Sequence, residues 1–130
     1  MKELMDIKID SIRLSQQSRD QLIRLKRITG IEQWNTLCRW AFCLSLSEDT
    51  DPPKTKIPSD SSVEMTWKTF AGEHEDLYHA LLIDRAQKEG GEITKDALLN
   101  CLRAHITRGI VFLTARKELK DIAGLLREVA

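Results

Sequence analysis

The segment from Arg13 to Leu46 constrains the fold of this chain more than any other. A short β-branched run predicts a strand over Ser11–Leu14, and a basic helix follows that Ser15 can cap and Gly30 can end. A second helix is predicted over about Glu32–Ser45, and its apolar side chains point in almost every direction. Such a helix must be covered on all sides. We expect one short chain not to suffice for this, and therefore self-association.

The apolar side chains of the second helix are predicted to form a core or an interface between copies. The residues assigned to this role are Trp34, Leu37, Trp40, Phe42 and Leu44. The three cysteines, Cys38, Cys43 and Cys101, also lie in apolar helical runs and lack disulfide or zinc spacing. They are predicted to be buried thiols in a reducing compartment. Since no apolar signal core or bilayer-length stretch is present, we expect a cytoplasmic protein without a membrane segment.

The formal net charge of the 130 residues is zero, but the charges are unevenly distributed. Residues 1–47 contain eight Lys/Arg against five Asp/Glu, a balance of +3. Residues 48–93 contain five against eleven, a balance of −6, and residues 94–130 contain seven against four, a balance of +3. The two basic ends are compatible with a polyanionic partner.

The pattern along the chain predicts a single, mainly α domain over residues 1–130. A strand-helix-helix unit occupies about residues 8–47, and a loop that contains all three prolines covers residues 48–62. Alternating residues over Val63–Trp67 predict a short strand at the loop exit. Helices are predicted over about residues 73–129.

The C-terminal helices are placed by their apolar spacing. In the first, Leu77, Ala80 and Leu81 mark one side of the helix, and Tyr78, Leu82 and Arg85 mark the next. The next begins with Thr94 as its cap and is broken at Gly109, after which a buried connector is expected. A last helix is predicted over Ala115–Val129.

No motif for catalysis or for a cofactor is evident, so we expect a protein that is not an enzyme and holds no cofactor. The densest group of metal-ligating residue types is Glu73–Asp76, but consecutive helical residues point in different directions and cannot converge on one ion. Cys101 and His105 are one helical turn apart and could share a metal, yet the sequence offers no obvious further ligand. We expect His105 at the surface or boundary and His79 in the core.

Cationic side chains dominate the first helix and its flanks. Between residues 13 and 40, six Lys or Arg side chains face only Asp20 and Glu32. Cations on a helix can contact phosphates and gain affinity by counterion release, without reading the base sequence. An ordinary solvated helix face accounts for the same charges equally well.

The segment Gly30–Leu46, which contains Trp34, Trp40 and Phe42, is distinctive. Three further segments carry the same likeness: Val63–Phe70 with the following Gly72-Glu73, Leu77-Tyr78, and His105–Ile110. Together they resemble the DndE family, the small subunit of the DNA sulfur-modification (phosphorothioation) system. The resemblance spans nearly the whole chain.

The resemblance implies a fold similar to ribbon-helix-helix proteins and a homotetramer that binds double-stranded DNA, with a preference for nicked duplex. It implies a role in replacing a non-bridging phosphate oxygen of DNA by sulfur, within a multi-protein complex. The sulfur chemistry belongs to partners in that complex: a cysteine desulfurase, an iron–sulfur protein and an ATPase-like protein. Surface lysines are implicated in the family, and some relatives have been linked to nicking.

The strand and the start of the second helix depart from the pattern of ribbon-helix-helix repressors. Glu32 would repel a phosphate at the helix start, and Ile9 and Ile12 are poor readers of bases. We therefore predict binding to the DNA backbone without sequence specificity. The predicted phosphate contacts are Arg13, Arg19, Lys26 and Arg27, with Lys54, Lys56 and Lys68 as secondary contacts.

Two alternative functions remain open at this point. The first is an adaptor that holds the other proteins of the sulfur-modification complex, whose partner binding would survive removal of the basic side chains. The second is a metal-dependent DNA nickase that uses the Glu73–Asp76 group.

Overall fold

A computed structural model describes Leu4 and residues 6–115 of the chain. The elements in order are β1 (Ser11–Arg13), α1 (Gln16–Thr29), α2 (Trp34–Leu46), β2 (Glu64–Thr66), α3 (Trp67–Ala71), α4 (Glu75–Lys88) and α5 (Lys95–Ala115), with a 3₁₀ turn at Gly72–His74. The predicted mainly α class is confirmed, since these residues form four long helices, one short helix and a small two-stranded sheet around one core. The predicted helix Ala115–Val129 lies outside the described residues apart from Ala115, which is the last described residue of α5.

The strand-helix-helix order of the N-terminal half is confirmed. Ser15 Oγ accepts a hydrogen bond of 3.1 Å from the main-chain N–H of Ser18, so α1 begins at the predicted cap. Gly30 ends α1 with φ at 74°, a left-handed conformation that glycine adopts without a steric penalty. The helix α2 begins at Trp34, later than predicted, because Gln33 is still extended. In the described part of the chain, no helix has the length and apolar character needed to cross a lipid bilayer.

The strand β1 pairs with β2 of the same chain. The pairing is antiparallel and places Ser11 opposite Thr66, Ile12 opposite Met65 and Arg13 opposite Glu64. The predicted strand at the loop exit is thereby confirmed. The ribbon of a ribbon-helix-helix protein joins two copies, whereas β1 bonds to its own chain, so the likeness to that class lies in the element order and not in the strand pairing.

The core is centred on the contact between α2 and α5, which is the most extensive contact between helices. Leu37 and Phe42 are fully buried, as predicted for core residues. Trp34, Trp40 and Leu44 are partly buried and pack against the core. Within the chain, α1, α3 and α5 contact α2 and cover part of its surface.

The helix α5 passes through Gly109 without a break, which corrects the prediction that a helix ends there. A Cβ atom on Gly109 would lie 2.6 Å from Cα of Ala41 and closer still to its carbonyl group. Glycine is therefore needed at this position because the backbones of α2 and α5 approach closely, and not because the chain turns. Ile110 and Leu113, which were assigned to a connector, are buried residues of α5.

The structure determines which side of α4 is buried. Leu77 and Leu81 are 55% and 36% exposed, so they do not face the core. His79 is buried, as predicted, together with Leu82, and His79 Nε2 lies 2.6 Å from the carbonyl oxygen of Ile7. Leucines occur on several sides of this helix, so the apolar period alone did not determine which side is buried.

The three cysteines are free thiols that differ in burial. Cys38 is fully buried, and burial raises the pKa of its thiol to about 12. Cys101 is partly buried, and Cys43 is exposed, which corrects the prediction that all three are buried.

Candidate functional site

The cations of α1 form the first candidate site. We call Arg19, Lys26 and Arg27 the α1 basic face. Residues 19 and 26 are seven apart and therefore share one flank of the helix, and residue 27 projects further toward solvent. Lys26 Nζ lies 3.4 Å from the centroid of the Trp34 ring, which is a cation–π contact.

Compensating carboxylates are scarce around the α1 basic face. Arg19 Nη1 lies 3.8 Å from Asp20 Oδ1, in a pair that solvent reaches. Among the described residues, no carboxylate oxygen lies within 4.0 Å of the charged nitrogens of Arg24, Lys26 or Arg27. Arg24 is exposed on the same helix and was not among the predicted contacts. The last turn of α1 therefore presents positive charge at the negative end of the helix dipole.

Arg13 is already bonded within its own sheet. Its Nη2 lies 2.7 Å from Glu64 Oε2, and its Nη1 donates to the carbonyl oxygen of Ser61 at 2.9 Å. The hydroxyl of Ser11 donates to the other oxygen of Glu64 at 3.2 Å. The carboxylate of Glu64 thus accepts hydrogen bonds from both outward polar side chains of β1, and Ile12 between them is buried.

The loop of residues 48–62 packs over α5 and encloses a cavity of about 590 Å³. Lys54 and Lys56 line this cavity together with Arg103, whose guanidinium donates to the carbonyl oxygens of Arg13 and Pro58. The predicted secondary contacts therefore lie in two places. Lys54 and Lys56 are at the cavity, and Lys68 is exposed on α3.

A buried polar cluster, formed by Ser45, Glu89, Cys101 and His105, is the second candidate site. His105 is fully buried, which corrects the expectation that it lies at the surface or boundary. Its Nε2 lies 2.6 Å from Glu89 Oε2, and its Nδ1 lies 2.8 Å from Ser45 Oγ. Cys101 Sγ lies 3.7 Å from Glu89 Oε1. The sequence showed the Cys101–His105 spacing but not Glu89, which two left-handed glycines, Gly90 and Gly91, bring back beside α5.

Two arginines contact this cluster and also bond to main-chain carbonyl oxygens. Arg108 donates from Nε to Ser45 Oγ, and its other nitrogens donate to the carbonyl oxygens of Ser45 and Thr50, each at 2.8 Å. Arg85 donates to the carbonyl oxygens of Leu46 and Glu48 and lies 3.9 Å from Glu89 Oε2. These bonds tie the C-terminal end of α2 to α4 and α5.

The protonation of the cluster follows from its burial and charges. Burial lowers the pKa of His105, and the charges of Arg85 and Arg108 act in the same direction, against the carboxylate of Glu89. A neutral His105 then donates from Nε2 to Glu89 and accepts at Nδ1 from the Ser45 hydroxyl. Burial also raises the pKa of the Cys101 thiol to about 12, and the negative charge of Glu89 adds to this effect.

The Glu73–Asp76 group does not converge, as expected from its spacing. In the described part of the chain, the one set of three His, Cys, Asp or Glu side chains with donor atoms close enough to share an ion is Glu89, Cys101 and His105. Glu73 and Asp76 are exposed on the 3₁₀ turn and the first turn of α4.

Comparisons with known proteins agree with the fold. The family model of DndE, DNA sulphur modification protein, matches residues 11–121. A crystal structure of DndE from Escherichia coli B7A, involved in DNA phosphorothioation modification, is similar with a TM-score of 0.69 and 26% identity, over 80% of this chain and 95% of that one. A DndE mutant structure gives a TM-score of 0.64 and 25% identity, over 82% and 98% of the two chains. No curated protein sequence matches significantly.

Proposed function

The chain belongs to the DndE family and is a component of the DNA phosphorothioation system, and from this premise we propose that it is a DNA-binding component of that machinery. It binds duplex DNA through backbone contacts without sequence specificity and prefers nicked duplex. The observation that carries the proposal is the α1 basic face, where Lys26 and Arg27 have no carboxylate partner among the described residues.

The chain has zero formal net charge, so attraction to DNA must come from a local surface. Each phosphate that a side chain neutralises releases condensed counterions and adds about 0.9 to the slope of log affinity against log salt. Lys26 is held over the Trp34 ring, and this contact lowers the entropy that the side chain loses on binding. The α1 basic face is therefore a partly preordered set of phosphate contacts.

The sheet supports binding without sequence readout. A strand that reads bases must present free polar side chains to a groove. Ser11 and Arg13 are bonded to Glu64, and Ile12 faces the core. The strand β1 consequently offers no free donor or acceptor side chain in the described structure, and specificity would have to come from DNA shape or from nicks.

We expect the double variant Lys26→Gln/Arg27→Gln to bind duplex DNA roughly 10- to 100-fold more weakly at about 0.1 M salt, because two counterion-releasing contacts are lost. The slope of log affinity against log salt should fall by about one unit for each lost contact. Fluorescence anisotropy with intact and nicked duplexes of two unrelated sequences measures both quantities. The loss should be equal for the two sequences.

The matched control is Lys88→Gln/Lys95→Gln, which removes the same charge from lysines that pair with Asp84 and Asp10. This control should leave the salt slope within experimental error. An unchanged slope in the α1 double variant, or an equal change in the control, would rule out the α1 basic face as the contact surface. If the chain binds the partner proteins but no duplex DNA, the adaptor function is favoured.

We further propose that the chain forms a homotetramer and assembles with the other proteins of the system. The single chain leaves Leu77, Leu81 and Val111 exposed, and apolar side chains of this size on a surface favour association. Sedimentation velocity at micromolar concentrations should give the mass of four chains. A single species with the mass of one chain would contradict this proposal.

A further inference from the structure

Three potential metal ligands converge in the polar cluster. The donor atoms of Glu89, Cys101 and His105 all lie within 4.8 Å of one another. Zinc bond lengths of about 2.0–2.3 Å with tetrahedral angles require donor atoms about 3.3–3.7 Å apart. Cys101 Sγ lies 3.7 Å from Glu89 Oε1, and His105 Nε2 lies 2.6 Å from Glu89 Oε2, so the imidazole and the carboxylate must separate by about 0.7 Å.

We propose that Glu89, Cys101 and His105 form a binding site for a divalent transition metal ion, with Zn²⁺ as the preferred occupant. A thiolate, an imidazole nitrogen and a carboxylate oxygen are all donors that Zn²⁺ accepts, and this combination selects against Mg²⁺ and Ca²⁺. With Cys101 deprotonated, the two negative donors balance the charge of the ion. The thiol proton of Cys101 is released to solvent when the metal binds.

Ser45 orients His105 for this role. A metal-binding histidine usually directs its second ring nitrogen to an oxygen atom, which fixes the ring. Ser45 Oγ lies 2.8 Å from Nδ1 of His105 and also accepts from Arg108 Nε at 2.8 Å, so the hydroxyl is held in place. Moving the ring proton to Nδ1 frees Nε2 for the metal, without a change in the charge of the imidazole.

The neighbouring arginines do not prevent binding. Arg85 and Arg108 oppose a cation by their charge, but both have main-chain carbonyl partners of their own. Release of Glu89 to a metal would therefore leave neither guanidinium without hydrogen bonds. The negative charges of Glu89 and Asp51 act on Cys101 and attract a cation to its sulfur.

The cavity under the 48–62 loop supplies an entry path and a fourth coordination position. Glu89 and Cys101 line this cavity, whereas His105 closes the site from the core side. Three protein ligands with an open position leave room for water or an anion on the metal. Lys54, Lys56 and Arg103 line the same cavity and favour an anionic fourth ligand.

Titration of the chelator-treated full chain with Co²⁺ tests the proposal. We expect one equivalent per chain, a thiolate-to-cobalt charge-transfer band in the near ultraviolet, and displacement of the cobalt by Zn²⁺. The variant Cys101→Ser should lose the band and weaken binding at least about 10- to 100-fold, since it removes a ligand. Glu89→Gln should keep the band but weaken binding at least about tenfold.

Cys43→Ser is the matched control, because Cys43 is an exposed thiol outside the cluster. It should retain the band, the stoichiometry and the affinity. Ser45→Ala should keep the band and weaken binding about 10- to 100-fold through loss of the His105 partner. Circular dichroism establishes that each variant is folded, and Glu89→Gln and Ser45→Ala test the site if Cys101→Ser does not fold. A folded wild-type chain that gives no band, or a band that Cys43→Ser removes and Cys101→Ser retains, overturns the proposal.

Discussion

Replacing Gly109 with alanine is expected to lower the free energy of unfolding by about 3 kcal/mol or more, at the upper end of the cost of overpacking a core. In an isolated helix the same change would be stabilising by about 1 kcal/mol, because alanine is the better helix former. The opposite sign is expected here, since the new Cβ would overlap the main-chain carbonyl of Ala41. Main-chain atoms cannot rotate away as a side chain can, so α2 and α5 must separate.

Urea unfolding followed by circular dichroism measures this effect. The control is Asn100→Ala, which is an exposed position of the same helix and should change stability by no more than about 0.5 kcal/mol. If Gly109→Ala is as stable as the control, the close approach of α2 and α5 is not a feature of the folded protein. A shift of the midpoint without a change of slope would show that stability falls while the surface exposed on unfolding stays the same.

The elements that the sequence predicted well are those whose ends depend on local chemistry. Ser15 and Thr94 act as caps by accepting hydrogen bonds from N–H groups three residues later, and Gly30 ends α1 in a left-handed conformation. These interactions involve residues within one helical turn, so they can be read without knowledge of the fold. The order of strand and helices in the N-terminal half followed from them.

The predictions that differ from the structure concern positions whose conformation or burial depends on tertiary packing. The sequence predicts a helix break at Gly109, because a glycine inside a helical pattern is ambiguous, whereas in the structure the main chain of Ala41 on α2 requires glycine there. The leucines of α4 mark two sides of the helix in the sequence, and packing against the rest of the chain buries the side of His79 and Leu82. Cross-strand pairing of Arg13 with Glu64 joins residues 51 apart, so no local pattern indicates it.

The two candidate sites also differ in how much of each can be predicted from local sequence. The α1 basic face lies on one helix, so its spacing and charge were visible in the sequence. The polar cluster combines a visible pair, Cys101 and His105, with Glu89 and Ser45 from elsewhere in the chain. A sequence can therefore indicate part of a metal site, but the remaining ligand depends on how the chain returns at the Gly90-Gly91 turn.

Replacing Phe42 with alanine is expected to cost about 3–5 kcal/mol of unfolding free energy, the range for truncating a buried aromatic side chain. Phe42 has no exposed surface, and its ring meets Phe70 edge to face, with the centroids 5.7 Å apart. It also lies edge to face with His105 at 6.3 Å, so the truncation leaves a cavity beside the polar cluster. The adjacent Cys43 is exposed, and Cys43→Ala should change stability by no more than about 0.5 kcal/mol.

The Phe42→Ala variant distinguishes between two roles predicted for Phe42. One is packing in the core of the chain, and the other is contact at an interface between copies. A core role predicts a lower unfolding midpoint in urea, with the sedimentation mass of the remaining folded protein unchanged. An interface role predicts a smaller sedimentation mass and a midpoint that depends on protein concentration in the wild type but not in the variant. Because the single chain already buries Phe42 completely, we expect the first result. The second would mean that α2 turns this side chain toward another copy.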